Sequence, residues 1–228
     1  MVQDTGGYTA RSWSPILANI FLHYSLDLWV HQWRHRHAKG DVIMVRYCDD
    51  FVMGFETQTD AESMMGELKR RLSEFGLGLH EKKTRLLEFG RFAAERRKRR
   101  GMRRPETFDF LGFTHYCSMN KKERFFVMRK TQGARMIRKL KELRIEARHR
   151  MHWPLKQQQR WLAAVLRGHY GYYGYLGNSR ALSNFSYEVR KLWFRALCRR
   201  SQKNAMTWER FKRLLRVFPL PTPRIIRT

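Results

Sequence analysis

Two adjacent carboxylates, Asp49 and Asp50, stand between the apolar runs Val42-Ile43-Met44-Val45-Arg46-Tyr47 and Phe51-Val52-Met53-Gly54-Phe55. Runs of that length and composition predict a buried β-hairpin with the acids at its tip. Paired carboxylates held there present the oxygen ligands that suit Mg²⁺, with substrate phosphates filling the remaining positions. Aspartate is also common in turns that do no chemistry, so this segment alone leaves a plain turn equally open. His31 and His35 stand four apart with His37 beyond, but no cysteine or carboxylate triad accompanies them, and they read as surface histidines. His80-Glu81 lacks the second histidine of a zinc-protease motif.

The elements that must position the acids follow from periodicity. Ser14 and Pro15 ahead of Ile16, Leu17, Ile20, Phe21, Tyr24 and Leu28 predict an N-cap, a proline at the first helical position and a helix to about Trp33. Asp60 opens a second predicted helix with Met64, Met65, Leu68, Leu72 and Phe75 on one face, closed by Gly76. Residues 77–79 and 86–89 read as short strands around a turn, residues 91–105 as a charged loop, and residues 107–116 and 124–129 as strands. From Thr131 the pattern turns helical, first with Ile137, Leu140, Leu143 and Ala147, then over residues 155–166. Leu182, Phe185, Val189, Leu192, Trp193 and Ala196 mark another helix, and Trp208, Phe211, Leu214 and Leu215 a last short one. Pro219, Pro221 and Pro223 forbid its continuation, leaving an extended tail.

Composition narrows the partner. The chain carries 47 Lys+Arg against 20 Asp+Glu, a formal +27 over 228 residues, while 43% hydrophobic content suffices for one large core or two small ones. Charge of that density favours a nucleic-acid partner. Basic residues run along nearly the whole chain rather than along one amphipathic helix beside a lipid anchor, which argues against a membrane surface. Arg96, Arg97, Lys98, Arg99, Arg100, Arg103 and Arg104 form either a solvated loop or, the reading favoured by the overall charge, an RNA phosphate contact. Arg135, Arg138 and Lys139, with Lys141, Arg144 and Arg148, alternate with apolar positions, so one helix face can pack while another tracks a nucleic-acid backbone. Tyr170, Tyr172, Tyr173 and Tyr175 suit either base stacking or a tight helix junction, and no base contact is assigned to them. Cys48, Cys117 and Cys198 are too scattered for a disulfide framework or a structural zinc site. With no signal-like leader and no long uncharged apolar stretch, the expected location is the cytoplasm.

The string Tyr47-Cys48-Asp49-Asp50 resembles the Tyr-x-Asp-Asp box of reverse transcriptases, and the order of its neighbours resembles the group II intron-encoded family of reverse transcriptases and maturases. Residues 14–23 look like that family's Ser-Pro-Leu-Leu-Ala-Asn helix. Residues 76–84 are similar to its next palm motif, in which Lys83 would sit near the incoming triphosphate. Phe108-Asp109-Phe110-Leu111-Gly112-Phe113 resembles the primer-grip hairpin, and residues 168–173 and 218–221 resemble the thumb, or maturase X domain, and its end. The resemblance spans residue 14 to the terminus. It implies an α+β fold, with a divergent leader over 1–13, a partial palm with primer grip over 14–130, a helical thumb over 131–203 and a C-terminal helix and Pro-rich tail over 204–228.

It further implies an RNA-directed DNA polymerase and intron maturase of a mobile genetic element. Asp49, Asp50 and Lys83 would be its catalytic residues, Asp49 and Asp50 the ligands of a Mg²⁺ pair, and Phe110, Leu111, Gly112 and Phe113 its primer grip. The substrates would be dNTPs on an RNA/DNA primer-template, and the RNA partner the group II intron. The family's further carboxylate lies N-terminal to the Ser-Pro helix, where Asp4 has no strand-like context, and the family's Gly-x-Pro-Gln-Gly loop is replaced by Gly6-Gly7-Tyr8-Thr9-Ala10. The expectation is therefore a fragment lacking fingers and one catalytic aspartate, with little activity alone and a bare hairpin edge that a second chain, either an N-terminal fragment or another copy, would cover. A splicing cofactor that binds structured RNA without catalysis and a gene remnant without function are the alternatives.

Overall fold

The computed structural model describes residues 7–102, 104–119, 123–200 and 206–227, with side chains from residue 15 onward. Asp4 and Arg103, both weighed above, lie outside the described residues. The fold is α+β with antiparallel sheets, as the resemblance implied. The chain divides into two compact units, Met1–Leu87 and Glu88–Thr228.

The first unit begins with α1 (Gly7–Leu22), continues through one wide π-helical turn (His23–Asp27) and ends its helical arm in α2 (Leu28–Arg36). Pro15 lies inside α1 rather than at its start, so the expected N-cap at Ser14 is overturned. Residues 8–13 contain no helix breaker and propagate the helix backward, and the proline deletes one backbone bond without stopping it. The π turn is marked by the bond from the Leu28 N–H to the His23 carbonyl. Buried Ser25 bonds back to the Phe21 carbonyl at 2.8 Å, and Arg71 Nε donates to the Ser25 carbonyl at 3.2 Å.

Strands β1 (Val42–Tyr47) and β2 (Asp50–Phe55) form a two-stranded antiparallel hairpin in which Val42 pairs with Phe55 and Tyr47 with Asp50. Helix α3 (Gln58–Glu74) backs it. Its N-cap is Thr57, whose hydroxyl accepts from the Asp60 N–H, and not Asp60 as expected. Asp60 instead accepts the backbone N–H groups of Lys39 and Gly40 at 3.0 and 3.1 Å. Burial pushes the Asp60 carboxyl up, but its bonds from Thr57, Gly40 and Lys39 outweigh that and hold it below the usual range. Gly76 closes α3 at φ +67°, with Gly76 and Leu77 donating back to Ser73 and Leu72. Leu26, Val30, Trp33, Val42, Met64, Leu68 and Leu72 make the core of this unit, and Met44, Phe51, Met53 and Phe55 bring one face of the hairpin onto it.

In the second unit, α4 (Ala93–Arg99) occupies what was read as a charged loop. The sequence Ala-Ala-Glu-Arg-Arg-Lys-Arg has high helix propensity, its Glu95 lies in the first turn and its cations in the last, which complements the helix dipole. Strands β3 (Phe108–Phe110), β4 (Phe113–Met119) and β5 (Phe125–Thr131) form an antiparallel sheet in that order. The segment 107–116, expected as strand, is a tight hairpin, the form that the resemblance of residues 108–113 implied. Residues 77–79 and 86–89, also expected as strands, are irregular. Leu77 and Leu79 pack against the first unit's core, and Phe89 packs edge-on against Phe108, so burial there needed no strand partner.

Helices α5 (Gly133–His149), α6 (Leu155–Tyr173), α7 (Ser179–Arg200) and α8 (Trp208–Val217) complete the unit around Leu143, Leu162, Leu166, Tyr170, Leu182, Phe185, Val189, Trp193 and Phe211. Met136, Leu140, Leu143 and Ala147 form the inner stripe of α5, while Ile137, expected there, is 54% exposed. Buried Gln158 ties the loop before α6 to α7, donating to the Met151 and Trp153 carbonyls and accepting from Trp193 Nε1 at 2.9 Å. The Pro-rich tail is extended and docked: Leu220 is buried, Gln159 and Tyr170 donate to the Pro219 and Pro221 carbonyls, and Arg227 bridges to Tyr175.

Candidate active site

Because Tyr47 and Asp50 are the last paired residues of the hairpin, its connection is the two-residue turn Cys48-Asp49. Asp49 lies in that turn and Asp50 opens β2, so the acids are consecutive in sequence but different in backbone setting. Cys48 sits at φ +53°, a left-handed conformation that two-residue hairpin turns demand and that costs energy in a residue other than glycine.

Arg46 holds the turn in place. Its Nε and one terminal nitrogen clasp both oxygens of Asp27 at 2.7 and 2.6 Å, and the other terminal nitrogen donates to Asn19 Oδ1 at 2.8 Å and to the Cys48 carbonyl at 2.9 Å. One guanidinium therefore joins α1, the π turn and the hairpin turn. The Arg46 hydrogen bonds hold the Asp27 carboxyl below its ordinary range, and the same pair raises Arg46. Asn19 is anchored in turn through Nδ2 to the Pro15 carbonyl at 2.9 Å. Neither Asn19, Asp27 nor Arg46 was singled out from sequence.

Asp49 and Asp50 are exposed, and neither side chain forms an ion pair or hydrogen bond among the described residues, in a chain of net charge +27. Both remain available to a cation from solution. Tyr47, on the same face of the sheet as Asp50, is 62% exposed, and Cys48 is a free, exposed thiol. A groove of about 590 Å³ runs beside the turn, lined by Asn19, Asp27, His31, Arg34, Arg46 and Tyr47 among others. Two carboxylates fit as oxygen ligands to one Mg²⁺ that keeps waters or phosphates in its other positions. No group of three or more His, Cys, Asp or Glu able to hold a metal occurs among the described residues. Lys83 is exposed in a turn of the same unit and forms no bond to either acid.

The remaining predicted residues lie in the second unit. Leu111 and Gly112 form a two-residue turn at φ +49° and +80°, and Tyr172 Oη donates to the Leu111 carbonyl at 2.8 Å. A Cβ on Gly112 would stand 3.0 Å from Tyr173 Oη and 3.1 Å from an Arg135 nitrogen, ends of side chains that would have to shift by a few tenths of an ångström, while the positive φ is what favours glycine here. Phe110 is half-buried, whereas Phe113 is buried within a cluster of Tyr172, Tyr173 and Tyr175, its ring turned to packing. Tyr170 is buried too.

On and around α4, Arg97, Arg99 and Arg100 pair with Glu106, Glu95 and Glu88, leaving Arg96, Lys98 and Arg104 as exposed cations outside those pairs. On α5, Arg135, Arg138 and Lys139 are all exposed. No helix among the described residues is long and apolar enough to cross a membrane.

The first unit thus presents a helix-backed antiparallel hairpin with two exposed carboxylates at its turn that no described residue engages. Residues 12–115, somewhat less than half of the chain, match the family Reverse transcriptase (RNA-dependent DNA polymerase). The matched segment contains the whole hairpin, Lys83, α4 and the β3–β4 turn, and ends before the helical region. No curated protein matches the chain.

Proposed function

We propose that this chain is the palm and thumb portion of a group II intron-type reverse transcriptase and maturase, acting on RNA/DNA primer-template with dNTPs and binding intron RNA. The observation that carries the reading is the pair of unpaired carboxylates on a steadied turn, inside a segment that matches the reverse transcriptase family. A Mg²⁺ ion held by Asp49 and Asp50 would neutralise charge on the phosphates of the dNTP beside the primer's 3′ hydroxyl. The protein's own part would be to hold the turn that displays the two carboxylates, through the Arg46 bond to the Cys48 carbonyl, while the family resemblance assigns Lys83 to the triphosphate and the Phe110–Phe113 turn to the primer.

A second reading, RNA binding without catalysis, is favoured by one observation: the described residues supply two carboxylates and no larger ligand group, whereas two-metal transfer uses more. Two measurements on the whole chain separate the readings. Mn²⁺ broadening of backbone signals at residues 48–50 should be present in the parent and lost in Asp49→Asn/Asp50→Asn, and equal broadening in both would refute the metal site. Primer extension on an RNA template should likewise depend on both acids, and extension undiminished in the variant would refute the catalytic assignment. Metal binding and salt-sensitive intron RNA binding without extension would establish the second reading.

A further inference from the structure

His31 and His35 lie one turn apart on α2, both exposed, with ring centroids 4.8 Å apart and ring planes at 60°. Spacing alone reads as a pair of surface histidines. The structure keeps both at the surface and adds that their rings meet. Neither ring has a hydrogen bond or ion pair among the described residues. The neighbouring histidines are placed differently: His23 Nδ1 stands 3.5 Å from Asp27, and His37 lies past the end of α2 beside Trp33. Val30 and Trp33 carry another face of α2 into the core, so the helix that bears the pair is held by packing.

Imidazoles separated by one helical turn can close on a single ion. Two imidazoles on one zinc, with Zn–N about 2.0–2.1 Å and N–Zn–N angles of roughly 90–109°, have ring centroids about 4.5–5.2 Å apart. The observed 4.8 Å falls inside that interval, so chelation needs the rings to turn about their side-chain bonds and needs no backbone movement. We propose that His31 and His35 chelate a divalent transition-metal ion of the zinc type. The donor atoms decide the class, because imidazole nitrogen suits Zn²⁺, Ni²⁺ and Cu²⁺, whereas Mg²⁺ takes oxygen. The site therefore differs in chemistry from the carboxylates Asp49 and Asp50 and does not depend on what they bind. No group of three His, Cys, Asp or Glu forms here among the described residues, so water or an incoming donor fills the remaining positions, and affinity is below that of a four-ligand site. Arg34 and Arg36 flank His35 and oppose a cation, an effect that exposure and salt weaken. His31 also lines the groove beside the acid-bearing turn, so the ion sits at that groove's wall with coordination positions open to a ligand.

The test follows the histidine imidazole NMR signals of the whole chain during titration with zinc chloride, His31 and His35 being assigned by their absence in His31→Gln and His35→Gln. In the parent both rings should shift with one common midpoint. In His31→Gln the His35 shift should need roughly tenfold more zinc, or greater, and the reverse should hold in His35→Gln, because a chelate that loses one arm is left with a single weak ligand. His37→Gln should leave the midpoint unchanged, and magnesium chloride at the same concentrations should move neither ring. Both side chains are exposed, so glutamine preserves the helix, which the backbone signals of α2 without zinc verify. Separate midpoints for the two rings, or a His35 midpoint that is the same with and without His31, would show two independent surface histidines and overturn the proposal. Zinc taken up only by Cys48, Cys117 or Cys198, with both rings unshifted, overturns it as well, and so does an equal response to magnesium.

Discussion

Replacing Arg46 with alanine should loosen the acid-bearing turn while leaving the acids themselves untouched. The side chain is 14% exposed and its partner Asp27 29% exposed. Charged hydrogen bonds contribute about 1.5–3 kcal/mol each, and removing one member of a fully buried pair costs about 3–5 kcal/mol. Asp27 is not fully buried, and His23 Nδ1 stands 3.5 Å from it as a fallback partner, so the expected cost of Arg46→Ala is about 2–3 kcal/mol. Hydrogen exchange of peptides covering residues 42–55 should report it as a lower opening free energy for the hairpin. The decisive quantity is the coupling with Asp27→Ala in a double-mutant cycle, expected at about 1.5–2 kcal/mol. Asp27 is depressed, chiefly by its Arg46 hydrogen bonds, so this stabilisation is complete above its unfolded value of about 3.9 and is lost as pH falls through the lower folded value. Coupling below about 0.5 kcal/mol at neutral pH would refute the claim that Arg46 steadies the turn through Asp27.

Gly112→Ala, at φ +80° and with Tyr173 Oη 3.0 Å from the new methyl, should destabilise the second unit by about 1–3 kcal/mol and shift its thermal melt, whereas an unchanged melt would show that the turn can rearrange freely. The His169 imidazole is depressed below its unfolded value of about 6.5, so the unfolded chain takes up its proton first. Stability should be full above that pH and decline by about 1–2 kcal/mol, allowing for the ring's partial exposure, as pH falls toward 4. His169→Phe should lose that part of the pH dependence, and an identical pH profile in the variant would refute it. Ile43, Val45 and Tyr47 are 65%, 53% and 62% exposed on the outer face of a sheet of only two strands. The chain alone should accordingly bind a hydrophobic dye such as ANS, less so after Ile43→Thr/Val45→Thr, and an unchanged signal would locate the exposed surface elsewhere.

Elements whose signal is local were legible in the sequence. The apolar stripes of α3 and α7 and the short helix α8 follow directly from spacing. Misreadings arose where two local explanations competed. Thr57 and Asp60 are both good capping residues, and the one nearer the hairpin prevailed because Asp60 was drawn to the Lys39 and Gly40 N–H groups. Residues 91–105 were read as a loop from charge, although Ala93, Ala94 and Glu95 ahead of the cations make a helix with ion pairs to Glu88, Glu95 and Glu106. Met136 and Ile137 are both apolar, and periodicity alone did not decide which would face inward on α5.

Strand alternation alone carries the arrangement around the acids. Val42, Met44 and Arg46 share one face of β1, and the first two are apolar, so Arg46 points a cation toward the helices and must find an anion there. Between Gly7 and Arg36 the sequence contains a single acidic residue, Asp27. The same alternation puts Tyr47 and Asp50 on the opposite, exposed face with Val45 and Val52. The guanidinium that steadies the turn is therefore kept off the carboxylates that the turn displays. It pairs with Asp27 and grips the Cys48 carbonyl, and neither Asp49 nor Asp50 has an ion-pair partner among the described residues. Had the arginine stood one position earlier or later, the period of two would have turned it to the exposed face beside Asp50, where an internal ion pair would compete with any metal for the site.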